Sequence, residues 1–165
     1  PGIARVGTPE GNTTGILLTT SYDADAIAAL QSGRRVLLLE CTEGEPNVAL
    51  GWWAIGNQTG AAMLRHPVFG DFPHDGRLSP LWFRIVKVAP PLQPQDRFCD
   101  SEPLMVGEGK DGYSVYLSQA RVGQGRLLRA CGLADLKDTP EDTDLLDAML
   151  AYVRSDAFAP QVLIP

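Results

Sequence analysis

The spacing of apolar residues changes along this chain, and each change marks an element. Gly15 to Thr20, GILLTT, is a short apolar run of the kind that forms a buried strand. In SYDADAIAALQSG, Asp23 and Asp25 stand where a helix N-terminus favours acid, Ile27, Leu30 and the intervening alanines supply an apolar face, and Gly33 stops the helix. Arg34 to Glu40, RRVLLLE, is apolar at four consecutive positions, the pattern of a parallel strand covered on both faces. Strand, helix and strand within Gly15 to Glu40 make a βαβ unit, with a right-handed crossover.

The middle third is less regular. CTEGEPNVALGWWAIGNQTG mixes acid, glycine and proline around a tryptophan pair, and AAMLRHPVFGDFPHDG adds turn residues at Gly70, Asp75 and Gly76. A short helix is expected over about 59–65, ending before Pro67, which disfavours helical geometry at His66. Pro80 to Val88, PLWFRIVKV, returns to strand character, and the proline-rich PPLQPQDRFCDSEP is assigned no element.

The last third is clearer. GYSVYLSQARV and RLLRACGL flank Gly123-Gln124-Gly125, a three-residue glycine connection of the sort that closes an antiparallel hairpin. KDTPEDTDLLDAMLAYVRS then opens a helix with Thr139 as cap, Pro140 at the first position and Asp142 at the third. Leu145, Met149, Tyr152 and Val153, flanked by Leu146 and Leu150, form one apolar stripe. Early alternation of strand and helix, followed by hairpin and helix, predicts a three-layer α/β/α sandwich. Its sheet is expected to be mixed and mainly parallel, with an antiparallel hairpin at one edge, in a single domain over residues 1–165.

Composition narrows the partners. The chain has 165 residues, 44% of them hydrophobic, enough for a real core, and a net charge of −6. Excess acid repels phosphate backbones and anionic lipid, so neither nucleic acid nor membrane is an expected partner. No apolar run approaches the roughly 20 residues that span a bilayer. The chain opens PGIARVGTPEG, without an initiator Met or a signal peptide, and a chain that begins and ends at proline reads as a domain cut from a larger protein. Cys41, Cys99 and Cys131 are odd in number and lack a CxxC pair, which argues against a disulfide framework or a zinc site. Unpaired thiols favour a cytoplasmic setting.

Two stretches carry a family resemblance. Trp52 to Val86, WWAIGNQTGAAMLRHPVFGDFPHDGRLSPLWFRIV, resembles a block in the C-terminal regions of bacterial family 2 glycoside hydrolases of the β-galactosidase kind. Gly123 to Pro160 is similar to the closing hairpin and helix of class I amidotransferase-like domains attached to such enzymes. The resemblance implies a flavodoxin-like accessory domain beside a catalytic barrel, in a parent that hydrolyses O-glycosidic bonds. A (β/α)₈ barrel of about 250 residues with paired carboxylates does not fit in this length.

An amidotransferase likeness calls for a Cys-His-Glu triad. Cys41 follows a strand, but it lacks flanking glycines, and Glu40 and Glu43 disfavour a thiolate. Cys99 lies between Asp96 and Asp100, Cys131 is expected to fill core space, and neither His66 nor His74 precedes a glutamate by two residues. No catalytic set, metal or cofactor is therefore expected, and His74 with Asp71 and Asp75 reads as a turn.

The candidate ligand-binding residues are Trp52, Trp53, Asn57, His66, Asp71, His74 and Asp75, where flat rings and hydroxyl partners suit a sugar. Three readings stay open: an accessory or interdomain structural module of a glycoside hydrolase, a carbohydrate-binding domain centred on Trp52 to Asp75, and a small amidotransferase-like hydrolase using Cys41. The corresponding partners are other domains of a parent chain, carbohydrate, and a second copy of the chain as a homo-oligomer.

Overall fold

A computed structural model describes residues 15–40, 61–76, 96–109, 112–131 and 139–165. The expected βαβ unit is present as β1 (Ile16–Thr19), α1 (Ala24–Gln31) and β2 (Arg35–Glu40), with β1 and β2 parallel. Asp23 caps α1 by accepting from the backbone N–H groups of Asp25 and Ala26, each at 3.1 Å. At the other end Gly33 takes φ +83°, and the Arg34 N–H returns to the Ala29 carbonyl, closing the helix in a Schellman turn. Its buried face is Ala26, Ala29 and Leu30, whereas Ile27, expected on that face, is 37% exposed.

Beyond β2 the described elements are β3 (Ala61–Met63), a 3₁₀ turn (Pro67–Phe69), β4 (Glu102–Gly109), β5 (Gly112–Val122), β6 (Gly125–Cys131), α2 (Pro140–Arg154) and β7 (Leu163–Ile164). Among the described residues they form one sheet in the order β1-β2-β6-β5-β4-β3, with β7 beside β5. The sheet is mixed: β1, β2 and β6 run parallel, and antiparallel pairing continues from β6 through β5 and β4 to β3. The antiparallel part thus extends beyond the expected hairpin. β7 pairs in parallel with Arg121 and Val122, just past the point where β4 begins against Gln119.

The helix expected over about 59–65 is corrected. Ala61 to Met63 instead pair with Met105 to Gly107, so ladder hydrogen bonds to β4 outweigh the helical leaning of alanine. The turn of helix comes later, with Pro67 at its first position. The strand expected at Pro80 to Val88 lies outside the described residues.

β2 is buried on both faces. Val36 and Leu38 join a core with Ala29 and Leu30 of α1, while Leu37 and Leu39 join a larger one with Leu145, Met149, Tyr152 and Val153 of α2. Thr139 and Asp142 cap α2 reciprocally: each side chain accepts from the other's backbone N–H at 3.2 Å. Arg35 donates to the carbonyls of Val153 and Ser155 at 2.8 Å, and its neighbour Arg126 donates to that of Phe158, so two guanidiniums hold the C-terminal end of the helix and the chain beyond it.

Val122 pairs with Gly125, so the expected three-residue connection is a two-residue turn, Gly123-Gln124, which sits against the end of α1. A Cβ at Gly125 would lie 2.6 Å from the carbonyl oxygens of both Leu30 and Arg34, whereas one at Gly123, φ +57°, would meet nothing nearer than 3.6 Å. Gly125→Ala must therefore push backbone apart and is expected to lose about 3 kcal/mol. Gly123→Ala meets only its own left-handed conformation and should lose about 1 kcal/mol. Urea unfolding of both variants checks the order, and equal losses would show that the helix end yields freely.

Candidate functional site

The three parallel strands end together, and in open α/β sheets the crevice outside the carboxyl ends is where ligands bind. Here it is a cleft of about 540 Å³ lined by Thr20, Ser21 and Tyr22 after β1, Glu40 at the end of β2, Arg129 near the end of β6, and the Asp96–Phe98 turn ahead of β4. Strand alternation explains which side it opens on. Val36, Leu38 and Glu40 share the α1 face of β2, and Leu127 and Arg129 share that face of β6, so the apolar row that packs on α1 becomes a polar pair where the helix begins.

That pair is close. Arg129 Nε donates to Glu40 Oε2 at 2.6 Å, with the arginine side chain 6% exposed and the glutamate 27%. The guanidinium carbon lies 4.5 Å above the Phe98 ring, Tyr22 meets Phe98 edge-on at 5.2 Å between centroids, and Arg97 lies 5.2 Å over Tyr22. Contacts run from Arg97 through the Tyr22 and Phe98 rings to Arg129 and Glu40, and the negative ring faces offset part of the cost of burying a cation. Asp96 fixes the turn by accepting the Phe98 N–H at 2.8 Å, and Ser21 donates to Asp23 Oδ2 at 2.8 Å.

Sequence reasoning missed this cleft. Its signal was two charged residues, Glu40 and Arg129, that follow the apolar runs of two strands toward their carboxyl ends. None of the described residues singled out from the sequence lines the cleft. Trp52, Trp53 and Asn57 fall outside the described residues, as does Cys41. His66 is half-buried, accepts the Val68 N–H on Nδ1 at 3.2 Å and sits edge-on to Tyr152 at 5.1 Å. His74 packs against Phe69 at 4.7 Å, with its Nδ1 buried and lacking a hydrogen-bond partner, while Asp71 and Asp75 are exposed. Each histidine has an aromatic partner of its own. Among the described residues no group of three His, Cys, Asp or Glu side chains is placed to hold a metal ion.

A polar chain crosses the α2 side of the sheet. Tyr152 donates to Gln119 Oε1 at 2.7 Å, and Gln119 Nε2 donates to Glu102 Oε2 at 3.0 Å. Burial raises the Tyr152 phenol to about 12, so it remains a donor throughout the physiological range. Tyr116 is raised further, by burial and then by Cys131 nearby. Cys131 fills core space at 1% exposure, as its place at the end of the hairpin predicted. The Cys99 thiol is pushed up by burial and then by Asp100, which makes it a poor nucleophile.

Glu40→Ala leaves the Arg129 cation buried without its counter-charge and is expected to lose about 3 kcal/mol. Arg129→Met keeps a side chain over Phe98 and leaves a carboxylate that water already reaches, so the loss should be about 1 kcal/mol. Denaturant midpoints decide, and the reverse order would mean that the carboxylate is the less hydrated partner.

Burial holds the His66 imidazole below its ordinary 6.5, against a smaller opposing pull from Glu102. Below about pH 6.5 the unfolded chain binds a proton that the folded chain binds only at lower pH. Stability should therefore fall as pH drops through that window and level off once the folded form is protonated too. His66→Gln should flatten this dependence in melting curves taken from pH 7.5 to about 5; an unchanged slope assigns it to other groups.

Comparison with known proteins adds a family and no named relative. No curated protein matches the chain. One family profile, described as Domain of unknown function (DUF8487), matches residues 17–165, which takes in every strand and helix described above except the first residue of β1. The chain belongs to the DUF8487 family.

Proposed function

We propose that this chain is a non-catalytic accessory or interdomain module of a glycoside hydrolase of the β-galactosidase kind, built as a flavodoxin-like, amidotransferase-like three-layer α/β/α domain. The observation that carries the reading is the content of the carboxyl edge. Among the described residues at that edge, where an amidotransferase-like domain needs an exposed thiolate beside a histidine, Glu40 and Arg129 neutralise one another and Phe98 and Tyr22 brace them. Both histidines are taken up in packing against aromatic rings away from that edge. The helices packed against β2, together with the two sequence blocks that resemble glycosidase C-terminal regions, support the same reading.

In such a module the stabilising contacts are also the function: a rigid sheet presents surface to neighbouring domains while chemistry proceeds elsewhere. The purified chain should release neither nitrophenol from aryl β-galactosides nor ammonia from glutamine above a buffer control. Its reading frame should extend into a barrel carrying the paired carboxylates. Turnover that Cys41→Ser abolishes, or a parent without such a barrel, would overturn the proposal.

A further inference from the structure

The cleft holds more hydrogen-bonding capacity than the fold consumes. Arg129 is almost wholly buried, and Glu40 takes its Nε–H, while the two Nη groups of a guanidinium carry four more N–H donors. Glu40 has a second carboxylate oxygen beyond the one bound to Arg129, and Asp96 a second beyond the one that holds Phe98 N. Ser21 donates its hydroxyl proton to Asp23, which leaves its oxygen lone pairs as acceptors, and the Thr20 side chain lines the same wall. Donors and acceptors therefore stand side by side on one concave surface.

Charge decides which ligand suits it. Among the described residues that line it, two carboxylates, Glu40 and Asp96, balance two guanidiniums, Arg97 and Arg129. An anion would meet the two carboxylates of the lining, and a cation its two guanidiniums. A neutral molecule with many hydroxyls meets both sets favourably, because each hydroxyl donates and accepts. About 540 Å³ lies within the range of roughly 300–1,000 Å³ usual for small-molecule sites. The two arginines and the Tyr22–Phe98 pair are already stacked, so little side-chain freedom remains to be lost on binding.

We propose that this carboxyl-edge cleft binds a neutral saccharide, with Arg97 and Arg129 donating to its oxygens and Glu40 and Asp96 accepting from its hydroxyls. The site differs from the tryptophan-centred block marked in the sequence, and it stands whether or not the chain belongs to a glycosidase. The test is NMR titration of the ¹⁵N-labelled chain, following arginine Nε–H signals, with cellobiose, maltose and lactose up to about 50 mM, a range that detects millimolar binding. Sorbitol serves as an acyclic polyol, galacturonate as an anion and glucosamine as a cation.

At least one disaccharide is expected to shift Arg129 and Arg97 saturably. Arg97→Ala, at an exposed position, and Asp96→Asn, which keeps the oxygen bound to Phe98 N, should each weaken that binding about tenfold or more with the melting temperature unchanged. No shift with any of the three disaccharides would overturn the proposal. So would binding that neither variant weakens, sorbitol binding as tightly as the best disaccharide, or a charged sugar binding tenfold tighter. Lost saccharide binding leaves the accessory-module reading intact, since that one fails on turnover or on the reading frame.

Discussion

The parallel pairing of β2 with β6 is the contact on which the rest depends. It joins residues about ninety positions apart, from Arg35 beside Arg126 to Glu40 beside Cys131, and so ties the opening βαβ unit to the closing hairpin. Neither half is self-sufficient. A two-stranded parallel unit with an eight-residue helix buries little, and the antiparallel strands need a covered neighbour for the apolar row of β6. Once β2 is inserted beside β6, four consecutive apolar residues become buried on both faces and two cores form at once. The close seating of Gly125 under the end of α1 is a condition of that pairing, because any side chain there would hold the helix away from the strand that must enter.

The same strand pair carries charge at both ends, with different consequences. At the amino edge Arg35 and Arg126 are direct neighbours, a like-charge arrangement that would repel if both were idle. Each is occupied by carbonyls: Arg35 by those of Val153 and Ser155 at the end of α2, where the helix dipole favours positive charge, and Arg126 by that of Phe158 in the chain beyond it. At the carboxyl edge the partners are a cation and an anion, and the Arg129 guanidinium is stacked on an aromatic ring. The first arrangement orients a helix. The second shapes a wall of the cleft.

Much of the scaffold was legible in the sequence because it is written in local patterns. The βαβ unit, the hairpin turn and the capping box at Thr139 each rest on residues within a few positions of one another, and each is found. β4 was not legible. Glu102 to Gly109 includes Pro103, Gly107 and Gly109, which read as punctuation, and only its place between β3 and β5 makes it a strand. Ala61 to Met63 went the same way, with local helical leaning overruled by a ladder that no window along the chain can display. The cleft was illegible for a related reason: Tyr22, Glu40, Phe98 and Arg129 come from four separate segments, and nothing in their spacing announces that they meet. The flagged histidines stood out through unusual chemistry in the sequence, yet their surroundings give each an aromatic neighbour.

Stability alone does not account for the Glu40–Arg129 pair. Replacing a buried ion pair by well-packed apolar residues is commonly neutral or stabilising, since desolvation offsets the attraction. The apolar solution is at hand on the same face, where Leu38 and Leu127 occupy the corresponding rows of β2 and β6 a step nearer the amino edge. What changes from those leucines to the charged pair is the neighbour: Leu38 and Leu127 pack toward α1, whereas Glu40 and Arg129 line an open cleft. A charged pair in that setting keeps hydrogen-bonding groups fixed and partly free at the mouth of a concave surface, which two leucines cannot do. The physical distinction between a wall that merely closes the core and one that can recognise a polar molecule therefore falls at this step along the two strands.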